Sequence, residues 1–76
     1  MPEYDVSRLK TPAEYRADRA SLFPSEGALA WFTRRHREHL IAAKALVAIN
    51  RRVMVDVPNF DRAVFEVGQA RMAEAA

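Results

Sequence analysis

The chain has 76 residues, half of them hydrophobic and 29% charged, with a net charge of +2, two histidines and no cysteine. That length supports one domain with a modest core, burying about 60–65% of the surface an unfolded chain exposes, and the lack of cysteine excludes thiol catalysis, disulfides and cysteine-ligated zinc. No apolar run approaches the roughly 20 residues of a membrane span, and no apolar segment follows the charges of "MPEYDVSRLK". The expectation is therefore one globular domain over residues 1–76, working in the cytoplasm without membrane contact.

Residues 1–8 read as a loosely ordered lead-in. "KTPAEYRADRASLFPSEG" then carries clear helix punctuation. Thr11 caps a helix that begins at Pro12, and Thr11 with Glu14 has the spacing of a capping box. This helix is predicted to run to about Ala20 with Tyr15 on its buried side. Pro24 stops whatever precedes it, and Ser25 caps the next helix from Glu26. In that second helix Leu29, Phe32 and His36 recur at three-to-four spacing, with Ala28 and Trp31 alongside. The helical pattern continues through "EHLIAAKAL" with a break near Arg37, and Leu40 and Ile41 are expected to pin a short third segment into the core.

The period changes at "ALVAINRRVMVDV". Two runs rich in branched residues, Leu46–Ile49 and Val53–Val57, flank Asn50, Arg51 and Arg52, which predicts a β-hairpin with a basic tip. The rival pattern, one continuous helix from residue 26 to 57, conflicts with that density of valine and isoleucine. Asp56 or Asn59 then caps a closing helix with Phe60, Val64 and Val67 on one face, extended by Phe65 and Met72. Gly68 weakens that helix, and the alanine-rich residues 73–76 are expected to fray.

Charge is unevenly spread. Between Arg34 and Arg52 lie six basic residues and one acid, Glu38, so this stretch carries +5, while the rest of the chain carries −3. Charge runs are most often solvated faces. Here, though, the cations fall on the second helix and the hairpin tip. A helix fits the major groove of B-DNA, a hairpin can follow the adjacent backbone or minor groove, and arginine supplies bidentate bonds to phosphate or guanine.

The chain resembles the excisionase-like group of winged-helix DNA-binding proteins, distantly akin to the DNA-binding domains of the MerR family. The residues that carry the likeness are "LKTPAEY" at the first helix, "SEGALAWFTRR" in the second and "RRVMVD" returning from the hairpin, spanning roughly residues 9 to 65. Two features depart from the family's pattern: Lys44 stands where glycine is the expected helix terminator, and the hairpin tip "NRR" has no glycine. The resemblance implies an α+β, mostly α fold, a winged helix-turn-helix with a two-stranded β-hairpin wing and a C-terminal helix. It also implies sequence-specific double-stranded DNA binding without catalysis. The role would be that of a recombination directionality factor (excisionase) or a small transcriptional regulator of a mobile element. Implied partners are duplex DNA, further copies as a homodimer or side by side on DNA, and an integrase or other protein.

The candidate DNA-contacting residues are Thr33, Arg34, Arg35, Arg37, Lys44, Arg51 and Arg52. Arg34 and Arg37 share a helix face, whereas Arg35 is turned by about 100° from Arg34; the resemblance directs Arg34 or Arg35 to the groove. Arg51 and Arg52 are suited to phosphate or the minor groove, although charges at a hairpin tip also block edge pairing. Trp31 is expected to be a partly buried packing residue rather than a stacking platform. His36 and His39 supply only two ligands at a spacing unlike His-Glu-x-x-His, so no metal or other cofactor is expected, and His36 should be half-buried with His39 exposed. With no phosphate-binding glycine loop and no nucleophile elbow, an enzyme is not expected. The competing class is a protein-interaction or homodimerisation module built on Phe60, Val64, Phe65 and Val67 of the last helix, without direct DNA contact.

Overall fold

A computed structural model describes residues 5–75. Helices α1 (Pro12–Asp18), α2 (Glu26–Arg35), α3 (Arg37–Ala42) and α4 (Val57–Ala75) surround a small sheet of β1 (Leu9–Lys10), β2 (Leu46–Ile49) and β3 (Arg52–Asp56). The fold is α+β and mostly helical, with a three-stranded antiparallel sheet in the order β1-β3-β2 and a closing helix. No described helix is long and apolar enough to cross a membrane.

Local chemistry explains the helix starts. The Thr11 hydroxyl accepts from the Glu14 N–H at 3.2 Å while the Glu14 carboxylate accepts from the Thr11 N–H at 2.9 Å, a reciprocal capping box that holds the Glu14 carboxyl below its usual range. Ser25 caps α2 through the Ala28 N–H at 3.1 Å. Asp56 caps α4 by accepting from the Asn59 N–H at 3.4 Å, and Arg8 grips the same carboxylate oxygen at 2.9 Å. α1 ends at Asp18, two residues before the expected Ala20, where the Arg19 backbone (φ −132°, ψ 41°) leaves the helical region and its N–H donates to the Arg16 carbonyl.

The break between α2 and α3 falls at His36, whose backbone (φ −113°, ψ 27°) leaves the helical region. α3 then ends in a left-handed residue, Lys44, with φ 60°. The Ala45 N–H donates to the Leu40 carbonyl and the Lys44 N–H to the Ile41 carbonyl, at 2.9 and 3.0 Å. These are the two bonds of a Schellman motif, closed by contact between two buried side chains, Leu40 and Ala45. The missing glycine is thus replaced by a strained lysine rather than by a different helix end.

The hairpin turns on two residues, Asn50 and Arg51, since Ile49 pairs directly with Arg52. Both have positive φ, 52° and 66°, as a type I′ turn requires. The return strand therefore begins at Arg52 and ends at Asp56, one residue earlier at each end than the expected Val53–Val57. Strand β1 has no counterpart among the elements predicted from sequence. It pairs Leu9 with Asp56 and Lys10 with Val55, directly after the expected lead-in. Val6–Arg8 form a 3-10 turn, and residues 1–4 of that lead-in lie outside the described residues.

The core is Tyr15, Phe23, Leu29, Leu40, Ala45, Val55, Phe60 and Ala63, with Phe32 and Val64 packed against it. Two expectations are corrected here. Ile41 is 52% exposed, because on the six-residue α3 only Leu40 faces inward. Phe65 and Met72 are 68% and 72% exposed; the core stripe of α4 runs through Phe60, Ala63, Val64 and Val67, and these two lie on the far side of the helix. Helix α4 includes residues 73–75, and Ala76 lies outside the described residues.

Candidate nucleic-acid interface

α2 is held by its apolar stripe. Leu29 is buried, Phe32 packs edge-on against Phe23 with ring centroids 5.4 Å apart, and the remaining faces of the helix are left to solvent. Leu29 and Thr33 lie on one side, Ala30 and Arg34 a further turn of about 100° round, and Trp31 and Arg35 beyond them. The position of the hairpin decides which of these faces matters.

The inner face of the hairpin meets the Arg34 side of α2. Thr33, Arg34 and Arg37 line one groove together with Leu46 of β2 and Val53 of β3, a space of about 490 Å³ whose far wall is α1. This groove also contains Arg16, which is not among the candidate contacts predicted from sequence, and a single acid, Glu26. The Thr33 hydroxyl donates back to the Leu29 carbonyl at 2.9 Å, so its proton is already committed and only its oxygen lone pairs face outward.

Arg35 does not line this groove, although it shares a second pocket with Arg34 and Arg37 at the α2–α3 junction. Its guanidinium lies over the Trp31 ring, 5.5 Å from the centroid, and its side chain borders a polar cleft shared with His36, His39 and the α4 residues Glu66 and Arg71. Trp31 is 55% exposed, more than a packing role suggested. His36 is half-buried and His39 exposed, as expected; His39 Nε2 sits 3.2 Å from a Glu66 carboxylate oxygen. Burial, then the nearby Arg35 and Arg71 cations, hold the His36 imidazole below its usual range and so favour its neutral form. No cluster of three metal-ligating side chains occurs among the described residues.

Arg51 and Arg52 are exposed at the hairpin tip. Strand alternation puts Arg52 on the face of Met54 and Asp56, opposite to the face of Val53 that borders the groove. Arg51, in the turn itself, belongs to neither face. Lys44 is exposed at the end of α3, where its carbonyl accepts from Asn59 Nδ2 at 3.1 Å. The structure therefore gathers Thr33, Arg34 and Arg37 with Arg16, carries Arg51 and Arg52 on the adjoining hairpin, and leaves Arg35 and Lys44 apart from the groove.

The cationic groove can accept an anion with an apolar partner surface, because guanidinium groups stand over a floor of carbon atoms. Nothing in the sequence signalled Arg16, since its part depends on how α1 crosses α2. Comparisons of this chain with family models, curated proteins and solved structures find no match.

Proposed function

We propose that the chain is a sequence-specific double-stranded DNA-binding protein of winged helix-turn-helix type. In this reading α2 enters the major groove with Arg34, Arg37 at the start of α3 stands beside it, and the β2–β3 hairpin is the wing that lays Arg51 and Arg52 along the flanking backbone. The biological role would be recombination directionality or transcription control on a mobile element. The observation that carries it is the shared groove of Arg34, Arg37 and the hairpin residues Leu46 and Val53. A recognition helix and a wing must adjoin if one duplex is to touch both. Supporting it further, two further arginines cap that same hairpin, and the stretch from Arg34 to Arg52 carries +5.

The test is duplex binding followed across salt. Four to six phosphate contacts give a log–log slope of about −4 to −5. The double substitution Arg34→Ala with Arg52→Ala is expected to abolish binding while leaving the oligomeric mass unchanged; an affinity insensitive to salt or to this pair of changes rejects the reading.

A second reading is favoured by the exposed Phe65 and Met72, one heptad apart on the outer face of α4. Such a stripe suits a second copy or a larger protein, as in a homodimer. Phe65→Glu tests it by light scattering, and its success is compatible with DNA binding, because paired half-sites need paired subunits.

A further inference from the structure

We propose that the groove between α1, α2 and the hairpin seats one sugar–phosphate strand of duplex DNA, and that Arg16 is a phosphate contact in it. This rests on the DNA-binding reading above and names which part of the duplex the groove takes. The floor is apolar, built by Ala13, Leu29, Leu46 and Val53, while Arg16, Arg34 and Arg37 stand against the single acid Glu26. A surface that alternates apolar carbon with concentrated positive charge matches the alternation of deoxyribose and phosphate. The Thr33 hydroxyl, the groove's one neutral side-chain donor, already spends its proton on the Leu29 carbonyl, which leaves the charged guanidinium groups to meet the strand.

Arg16 has the geometry for the task. Its Nη1 donates to the Phe23 carbonyl at 3.2 Å, which fixes the guanidinium against the α1–α2 loop. Its Nε is buried and has no partner among the described residues. That N–H is shut off from an incoming ligand, so the phosphate contact falls to the guanidinium's remaining N–H groups on the groove side. An arginine already held by one bond loses less freedom when it closes the next. α1 thereby becomes a third contact element beside α2 and the wing.

The experiment is fluorescence anisotropy with a labelled duplex, titrated over a range of salt concentrations. Arg16→Met keeps the side-chain stem and removes the charge. Ala13→Glu places an acid on the groove wall from an exposed position that carries no side-chain hydrogen bond, so it keeps the test readable if the first variant folds poorly. Gln69→Glu adds the same charge on exposed α4, away from the groove. Expected are an affinity loss of about tenfold for Ala13→Glu, a salt slope reduced by about one for Arg16→Met, and wild-type binding for Gln69→Glu. If Ala13→Glu and Arg16→Met bind a duplex as the wild type does, with its steep salt dependence intact, the strand seat is wrong and the DNA reading stands. If the wild type itself binds no duplex, both fall.

Discussion

Arg19 holds Asp61 through two hydrogen bonds of 2.6 Å each, Nε to Oδ1 and Nη2 to Oδ2, while its guanidinium covers the Tyr15 ring at 4.5 Å. The Tyr15 hydroxyl donates to the same Asp61 carboxylate at 2.7 Å. This triad joins the end of α1 to the first turns of α4 and so closes the core around the Tyr15–Phe60 ring pair, whose centroids are 4.7 Å apart.

Asp61→Asn is expected to destabilise the fold by about 1–2 kcal/mol at pH 7, a figure already reduced for the partial exposure of the carboxylate. The pH dependence has a definite sign. Hydrogen bonds from Arg19, with help from Tyr15, hold the Asp61 carboxyl below its ordinary range. Its contribution is therefore complete above the unfolded value of about 4 and disappears as pH falls through the lower folded value. Urea midpoints of wild type and Asp61→Asn should differ at pH 7 and converge well below pH 4; a constant gap across that range contradicts the assignment.

The left-handed residues offer a prediction of opposite signs for stability and binding. Lys44→Gly and Arg51→Gly each relieve a side chain held at positive φ, and each is expected to stabilise by about 0.5–1 kcal/mol after glycine's greater unfolded-state freedom is counted. Arg51→Gly also creates the Asn-Gly pair preferred in type I′ turns. It should raise the melting temperature and weaken duplex binding together. A variant that gains stability with full affinity would show that the Arg51 side chain has no part in the interface.

Arg34, Arg35 and Arg37 should not be equivalent. Arg34→Ala and Arg37→Ala remove cations from the groove and are expected to weaken duplex binding about fivefold to tenfold each. Arg35→Ala should weaken it less, because its guanidinium lies over Trp31 on the side facing α4. The same change should alter the emission of Trp31, the only tryptophan. Anisotropy and fluorescence on the three single variants decide the order.

Leu40 and Ile41 are neighbours with different fates. Leu40→Ala empties a fully buried site in the Schellman contact and should lower stability by about 2–4 kcal/mol. Ile41→Ala removes a side chain that is half exposed and should change stability by less than about 1 kcal/mol. Chemical denaturation of both variants checks the pair, and equal losses would mean that α3 is rotated from the orientation described.

What the sequence determined by itself was local. Thr11, Pro12 and Glu14 start α1, Ser25 starts α2, and the valine-rich runs around Asn50 form the hairpin, because caps, turns and strand periodicity depend on residues within a few positions of one another. Tertiary structure decided the rest. The two-residue strand β1 has no periodicity to read and exists only through its pairing with β3. Whether Arg34 or Arg35 adjoins the hairpin depends on the rotation of α2 in the core, and Arg16 enters the groove because of the angle at which α1 crosses it. The contacts of Arg19 with Asp61 and of Arg8 with Asp56 span more than forty residues each. No short window of sequence contains such partners, since packing the rings of Tyr15, Phe23, Phe32 and Phe60 into one core is what brings their helices, and the charges they carry, together.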